Sequence, residues 1–154
     1  MIAIQPIPPA ERAALVPLLD AYMAEMRPVL AGHRGASGAE AAALLAADPR
    51  AEVLLARRDG VAAGFAVFFD LPEIVFARRC GALDDLFVHP ASRGQGVARA
   101  LLAALTEEGR ARHWSHLRWI VPEGDAAAIT LYERMAQRAP WRSYVLRLDP
   151  DASL

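Results

Sequence analysis

The 154-residue chain is long enough to bury a full hydrophobic core, which predicts a single domain over residues 1–154. Its composition, 55% hydrophobic and 23% charged, is that of a globular protein and excludes a disordered chain. The net charge of −1 argues against a nucleic-acid partner. Charges and prolines interrupt each apolar run, which argues against a membrane partner.

Two further features limit where the protein works and what chemistry it can use. The first six residues lack the basic segment and the long apolar core of a secretory signal, so we expect a cytoplasmic protein. Cys80 is the only cysteine, which excludes a disulfide within the chain and a metal cluster built from thiolates.

The first half of the sequence predicts a strand, two helices and a hairpin. Apolar residues recur at helical spacing after Pro9, with a kink expected at Pro17, and the Asp59-Gly60 pair between two apolar runs is typical of a tight β-turn. The expected elements are a strand over residues 2–5, a helix from Pro9 to about Met26, a glycine- and proline-rich loop over 27–38, a helix over about 39–47, and hairpin strands that begin at Val53 and Val61.

The second half predicts three more strands and two more helices. The pattern indicates a mixed α/β fold, with more antiparallel hairpins than a doubly wound parallel sheet contains. The expected elements are a loop around Leu71-Pro72, a strand over about 82–88, a helix from Gly96, a strand of alternating Leu117, Trp119 and Val121, a helix over about 125–137, and a last strand over 141–148.

A glycine-rich turn, Arg93-Gly94-Gln95-Gly96, stands between the strand that ends at Val88 and the next helix. The free amides and dipole of a helix N-terminus favour an anion, the two glycines would let a phosphate approach the backbone, and Arg93 can add a charged contact. The turn therefore suggests a pyrophosphate cradle, although a turn that only needs flexible glycines explains the same residues. A Walker loop is excluded because no Gly-Lys-Ser/Thr follows, and a dinucleotide fingerprint lacks its third glycine.

Two segments resemble the GCN5-related N-acetyltransferases, the GNAT family. Residues Arg93-Gly94-Gln95-Gly96-Val97-Ala98 are similar to the family's Arg/Gln-x-x-Gly-x-Gly/Ala signature for the pyrophosphate of acyl-coenzyme A. Residues 125–134, Asp-Ala-Ala-Ala-Ile-Thr-Leu-Tyr-Glu-Arg, are similar to the family's Asn-x-x-Ala-x-x-Leu-Tyr-Glu-Lys segment. The resemblance extends from about Val53 to Leu148.

The resemblance implies a central, mostly antiparallel twisted sheet flanked by about four helices, with two neighbouring strands splayed apart where they end at Val88 and Val121. Acetyl-coenzyme A (acetyl-CoA) would lie in that cleft as co-substrate, without a metal. Asp125 stands where the family has asparagine, so it keeps the helix cap but loses the amide donor. The cofactor-binding residues implied are Leu86, Phe87 and Val88 for the pantetheine arm, Arg93, Gly94, Gln95, Gly96, Val97 and Ala98 for the pyrophosphate, and Asp125 and Tyr132.

Tyr132 is the expected general acid. It shares a helical face with apolar residues, which predicts a buried ring with its hydroxyl at the edge. In the family the matching tyrosine lies beside the sulfur and protonates the departing thiolate. A core tyrosine without a catalytic role is the alternative.

Asp84 and Asp85 interrupt an otherwise apolar strand, where a carboxylate is costly unless it is paired or functional. A regular strand would point them to opposite faces, and a solvated strand end would explain them without a function. The segment around them looks like the diamine and polyamine branch of the family, in which an acidic pair receives a cationic amine. We expect Asp84 to bind the amine or to act as its base through water, with Asp85 in support. Tyr22 and Glu25 of the first helix would line the same acceptor pocket.

Three other polar residues carry weaker signals. His113 and His116 are close in sequence, but no carboxylate or third imidazole stands at ligand spacing, so the sequence predicts no metal site. Cys80 has no base in a recognisable relation to it, which favours a structural thiol over an acyl-carrying nucleophile.

These features together predict an N-acetyltransferase that passes the acetyl group of acetyl-CoA directly to a small primary amine in a ternary complex. Two alternatives stay open: a non-catalytic acyl-CoA-binding or regulatory module on the same scaffold, and an enzyme that acetylates a protein N-terminus or lysine. The sequence does not identify the acceptor. Trp141 and Tyr144 on the last strand leave room for a homodimer.

Overall fold

The computed structural model describes residues 1–30 and 35–148. Its described part contains five strands and four α-helices. In chain order they are β1 (Ile2–Pro6), α1 (Val16–Leu30), α2 (Gly38–Ala47), β2 (Glu52–Arg58), β3 (Val61–Glu73), β4 (Arg78–Val88), α3 (Val97–Ala111), β5 (Leu117–Arg118) and α4 (Ala126–Met135), with short 3-10 helices at Pro9–Leu15 and Pro90–Ser92.

The five strands form one sheet in the order β1-β2-β3-β4-β5. Neighbouring strands pair antiparallel, except β4 and β5, which run parallel and are connected through α3. The turn between β2 and β3 contains Asp59 and Gly60 with φ of 51° and 82°, as a tight hairpin turn requires. The mixed α/β fold with a mostly antiparallel sheet is confirmed.

Helices cover both faces of the sheet. Alternate residues of β3 face the two layers, as Phe65 and Ala66 show by belonging to different core clusters. Leu101 and Leu105 of α3 pack on the Ala66 side, and Leu19 of α1 packs on the Phe65 side together with α2. Among the described residues, no helix has the length and apolar content needed to cross a membrane.

Buried Arg12 fastens the 3-10 helix at Pro9–Leu15 to the end of α2 and the start of β2. Its guanidinium donates to the carbonyls of Ile7 at 3.0 Å, Leu45 at 2.7 Å and Ala51 at 2.8 Å. Burial lowers the pKa of Arg12, and these carbonyls supply the hydrogen bonds that a buried cation needs. The contact with Leu45 links α2 to the 3-10 helix.

The first two helices differ from the expectation at their ends. Pro17 lies in the first turn of α1, where a proline fits, so the expected kinked helix is instead a 3-10 helix followed by α1. α1 also continues into the expected loop, with Pro28 inside it, and residues 31–34 of that loop lie outside the described residues. A capping box begins α2: the Ser37 hydroxyl accepts from the Glu40 N–H, and the Glu40 carboxylate accepts from the Ser37 N–H.

The prediction of a loop around Leu71-Pro72 is wrong. β3 continues to Glu73, and β4 begins at Arg78 rather than near residue 82, so the two strands form a long hairpin in which Pro72 pairs with Arg79. A proline is tolerated near the end of a strand because the ladder there loses only one N–H donor.

The prediction of a last strand over residues 141–148 is also wrong. β5 covers only Leu117–Arg118 and does not continue through Trp119 to Val121, so it offers little backbone for a further strand to pair with. A β-prone sequence does not form a strand without such a partner. The segment has no regular structure, and its large apolar side chains are exposed: Trp141, Tyr144, Val145, Leu146 and Leu148.

Candidate active site

Strand β5 ends after two residues, so β4 continues beyond it with one edge open. The two strands pair only where Gly81 meets Leu117 and where Ala82 meets Arg118. β4 then continues to Val88, paired with β3 on its other side, so the edge that faces away from β3 has no strand partner among the described residues. The open edge stands where the family resemblance implied a splayed pair of strands, but the second strand ends at Arg118 rather than at Val121. Backbone groups along an open edge can bind an extended ligand.

The direction of the backbone groups shows which residues of β4 face the cleft. The His89 N–H donates to the Ala63 carbonyl at 2.8 Å, so His89 and, by alternation, Phe87 direct their backbone groups to β3. The backbone groups of Leu86 and Val88 therefore face the open edge. Phe87 instead contributes a buried ring to the core under α1.

The glycine turn leads directly into α3. Gly94 and Gly96 have φ of 71° and 85°, a left-handed conformation that favours glycine. The first hydrogen bond of α3 runs from the Ala100 N–H to the Gly96 carbonyl at 2.9 Å, which leaves the amides of residues 97–99 without a helical partner. A Cβ on Gly94 would meet no atom within 4 Å, and one on Gly96 only Ile2 Cδ1 at 4.0 Å. Open space over free amides at a helix N-terminus fits a pyrophosphate.

Arg93 is held by β4 and α1. Its Nε donates to the Val88 carbonyl at 3.0 Å, and its Nη2 forms an ion pair with Glu25 at 2.5 Å. The guanidinium also lies over the Phe87 ring, 5.7 Å from its centroid. An anion that binds the Arg93 side chain must therefore compete with Glu25.

The remaining residues of the signature contribute little with their side chains. Gln95 is exposed, and its Nε2 is 3.5 Å from the Ala91 carbonyl, at the limit of a hydrogen bond. Val97 is buried in the core and Ala98 is half-buried, so these two residues can serve a ligand through their backbone amides.

A β-bulge brings Asp84 and Asp85 to the same side of the sheet. Val67 pairs with Asp85 and Phe68 with Leu83, which leaves Asp84 as the extra residue of β4. Both carboxylates line a second, apolar-walled cleft, which lies between α1, α2 and the sheet. The two aspartate side chains interact with each other. The two aspartates do not point to opposite faces, because the strand is not regular at this position.

Asp85 is the more buried of the two aspartates and is bound by Tyr22. The Tyr22 hydroxyl donates to Asp85 Oδ1 at 2.7 Å. Burial raises the pKa of Asp85, the hydrogen bond from Tyr22 lowers it, and the charge of Asp84 raises it further. Burial and the Asp85 charge raise the pKa of Tyr22, so Tyr22 stays protonated as the donor. A carboxyl group with a raised pKa in a cleft is suited to accept a proton.

The cleft in front of these carboxylates has a volume of about 330 Å³. Tyr22 lines this cleft, whereas Glu25 does not, because the Glu25 carboxylate pairs with Arg93. The contribution of α2 was missed in the sequence, although Leu44 and Leu45 stand out in a helix otherwise rich in alanine. The apolar walls consist of Leu19, Met23, Ala41, Leu44, Leu45, Ala51, Phe65, Val67 and Phe69.

Tyr132 of α4 packs against Trp119, just beyond β5. The two rings meet edge-on with centroids 5.3 Å apart, and Tyr132 is half-buried against the core on the α3 side. Burial raises the pKa of Tyr132, and the charge of Asp125 raises it further. Within the described residues the Tyr132 hydroxyl has no hydrogen-bond partner, so it forms no hydrogen bond that stabilises the fold. Asp125 caps α4, its Oδ1 accepting from the Ala128 N–H at 3.1 Å.

A sequence model of the acetyltransferase (GNAT) family matches residues 16–136, which is most of the chain. The chain belongs to the GNAT family. The resemblance inferred from two motifs is therefore confirmed, and the matched region includes the glycine turn, both cleft aspartates and Tyr132.

Solved structures share the fold of this GNAT chain. A ribosomal-protein-alanine N-acetyltransferase from Brucella melitensis biovar Abortus 2308 is 34% identical and superposes with a TM-score of 0.82 over 96% of this chain and 99% of that one. An integron cassette protein from the mobile metagenome of V. cholerae, 17% identical, also gives a TM-score of 0.82, over 97% of this chain and 94% of its own.

Two curated proteins match over shorter stretches. An L-ornithine N5-acetyltransferase of Arabidopsis thaliana is 30% identical over 109 residues, which is 68% of this chain and 47% of that protein. A mycothiol acetyltransferase of Thermomonospora curvata is 39% identical over 93 residues, 57% of this chain and 27% of that protein. The match thus spans about half or less of each curated relative.

Proposed function

We propose that the protein transfers the acetyl group of acetyl-CoA to a primary amine of a small cationic molecule, by direct attack of the amine in a ternary complex. The observation that carries this proposal is the bulge at Asp84, which directs two carboxylates into an apolar-walled cleft beside the open edge of β4. A cationic amine on a short hydrocarbon chain suits both the carboxylates and the walls of that cleft.

The residues present fit acetyl-CoA as the co-substrate. The amides of residues 97–99 and the open space at Gly94 and Gly96 suit its pyrophosphate. The backbone groups of Leu86 and the Val88 N–H suit its amide-rich pantetheine arm, since the Val88 carbonyl already accepts from Arg93. When bound, acetyl-CoA supplies an activated thioester. Direct transfer is favoured over a cysteine acyl carrier, because Cys80 is buried in the core.

Attack on the thioester requires a neutral amine. An alkylamine with a pKa of about 10.4 is neutral in roughly one of a few thousand molecules at pH 7, a cost of roughly 4–5 kcal/mol. Asp84, exposed at the bulge, attracts the ammonium group and orients it. Asp85, with its raised pKa, supports it and can take up the proton through water, while Tyr22 holds the Asp85 carboxylate in place.

The departing thiolate requires a proton, and we assign its delivery to Tyr132. The Tyr132 ring packs against Trp119, and its hydroxyl has no hydrogen-bond partner among the described residues, so its proton is not engaged elsewhere. Its raised pKa keeps the hydroxyl protonated at neutral pH until the thiolate forms.

The N-terminal amine of a protein is the second candidate acceptor. It is favoured by the Brucella melitensis structure, which is named for a ribosomal-protein alanine and is 34% identical to this chain. We rank a small molecule first because the two carboxylates lie in an apolar-walled cleft of about 330 Å³ between α1, α2 and the sheet. The curated relatives are named for ornithine and for mycothiol.

Release of coenzyme A from acetyl-CoA in the presence of single amines tests the proposal. The panel contains diamines, monoamines of matched chain length, ornithine and a peptide that begins with alanine. We expect diamine-dependent release well above the rate of acetyl-CoA hydrolysis. A higher rate with the alanine peptide would favour the second candidate. Binding of acetyl-CoA without release by any amine would indicate a non-catalytic acyl-CoA-binding module.

A further inference from the structure

Glu73, Cys80 and His116 come together at the end of β4 opposite the cleft. A carboxylate oxygen of Glu73, the Cys80 Sγ and a ring nitrogen of His116 all lie within 4.8 Å of one another. Glu73 ends β3, Cys80 lies near the start of β4, and His116 immediately precedes β5. Spacing along the sequence did not reveal this cluster, because its members are brought together by strand pairing.

We propose that these three side chains bind a zinc ion. Thiolate, imidazole and carboxylate are the donors that zinc binds in proteins, and three protein ligands leave a fourth position for water. One thiolate and one carboxylate balance the two charges of the ion. Magnesium and calcium prefer sites built from oxygen, so the Cys80 thiol argues for zinc over these more abundant ions.

The Glu73 carboxylate is held in place but leaves one oxygen poorly paired. Its Oε1 accepts from the Val75 N–H at 3.0 Å, whereas its Oε2 lies 3.8 Å from His116 Nε2 and 3.7 Å from Arg118 Nη1. Both of these distances exceed a hydrogen bond, although the Glu73 side chain is only 13% exposed. Two ligands of a tetrahedral zinc ion lie about 3.3 Å apart, so a small side-chain adjustment would let Oε2 and Nε2 share the ion.

His116 is already oriented as a metal ligand. Its Nδ1 lies 3.0 Å from Ser115 Oγ, which leaves Nε2 facing Glu73. Metal-binding histidines usually have such a hydrogen bond at the second ring nitrogen, where it fixes the tautomer and the ring orientation. The Gly81 N–H donates to the His116 carbonyl at 3.0 Å and so anchors this residue next to Cys80.

The position of the cluster assigns it a structural role. Cys80 is fully buried and stands directly before Gly81, where β4 pairs with the two-residue strand β5. The ion would connect β3, β4 and β5 at the point where β4 and β5 pair, next to the open edge of β4. Along the strand, Cys80 is roughly 13 Å from Asp84 and roughly 25 Å from Val88, so the ion would not contact the reacting groups.

Zinc titration of the metal-free protein by calorimetry and thermal unfolding tests this proposal. We expect saturable binding of one ion per chain and a Tm that rises with zinc concentration. His116→Gln and Cys80→Ser should each weaken zinc binding by about tenfold or more, since each removes a direct ligand. His113→Gln is the matched control, because this nearby histidine lies outside the cluster, and it should keep the wild-type affinity.

Cobalt(II) provides a second readout of the thiolate. A thiolate-to-cobalt charge-transfer band should form with the wild type and His113→Gln but not with Cys80→Ser. Circular dichroism checks the fold of Cys80→Ser, and the less buried His116 provides a ligand variant that retains the fold. Absence of saturable zinc binding by the wild type, or unchanged affinity in folded His116→Gln, would overturn the proposal.

Discussion

The Tyr22 hydroxyl donates to Asp85 Oδ1 at 2.7 Å, and this hydrogen bond joins α1 to β4 across one side of the apolar-walled cleft. Asp85 lies between this donor and a second carboxylate, Asp84. Its pKa is raised, chiefly because the side chain is removed from water. The ionised form of Asp85 therefore destabilises the fold that holds it, which makes the stability of the protein depend on pH.

Asp85→Asn should stabilise the protein at neutral pH. Because the folded-state pKa of Asp85 lies above its ordinary value, the wild type has its full stability below about pH 4 and loses part of it as the pH rises through the folded-state pKa. An asparagine does not ionise, and its amide oxygen can still accept from Tyr22. Thermal unfolding at about pH 4 and about pH 7.5 measures the effect, since 1 kcal/mol shifts Tm by roughly 2–4 °C at this chain length.

Glu123→Gln is the control for this measurement, because Glu123 is exposed and does not line the cleft that holds Asp85. Its Tm relative to the wild type should change little over the same pH range. A relative Tm of Asp85→Asn that stays constant or falls from acid to neutral pH would show that burial of Asp85 does not disfavour its charge.

Gly96→Val should weaken acetyl-CoA binding by about tenfold or more, because a side chain would fill open space next to the free amides of the α3 N-terminus. Gly60→Val separates this effect from backbone strain. Gly60 has φ of 82° and Gly96 has φ of 85°, and neither position is crowded, but Gly60 lies in the hairpin turn away from the cleft. Calorimetric titration with acetyl-CoA should show a loss for Gly96→Val alone; equal affinities in the two variants would remove the pyrophosphate assignment.

Tyr132→Phe should lower kcat by roughly 10- to 1000-fold with little change in acetyl-CoA affinity, because the ring and its packing on Trp119 remain while the proton is lost. Tyr144→Phe removes a hydroxyl from an exposed tyrosine and serves as the control. Steady-state kinetics and binding measured on the same preparations distinguish a chemical defect from a folding defect. A phenylalanine variant at position 132 with the full wild-type rate would make this tyrosine structural.

Local rules were sufficient where the chemistry of a few residues dictates the backbone. Asp59-Gly60 and the glycine turn adopt the conformations that their residue types favour, and the helix after Gly96 begins where expected. The bulge at Asp84 was not predictable, because it depends on how β4 aligns with β3 rather than on β4 alone. One extra residue in a strand changes which face the following side chains occupy.

Long-range pairing explains the other differences between the sequence-based expectation and the structure. Glu25 and Arg93 are 68 residues apart, and neither has a sequence feature that indicates their ion pair. The segment 141–148 has the composition of a strand but finds no partner, since β5 ends after two residues. The hydrophobic pattern of a helix or strand predicts which of its faces is buried. It does not predict which residues of other elements that face will contact.

The ratio of kcat/KM for a diamine to that for a monoamine of matched length, measured in the wild type and in Asp84→Asn, tests the account most directly. If Asp84 receives the cationic acceptor, the ratio exceeds one in the wild type, and Asp84→Asn lowers kcat/KM for the diamine by about 10- to 100-fold while affecting the neutral or singly charged acceptors less. Asp85→Asn should lower kcat for both acceptors and leave their ratio little changed, because Asp85 takes up the proton whichever amine is bound. A ratio that does not respond to Asp84→Asn would contradict the proposal that the acidic cleft selects the amine.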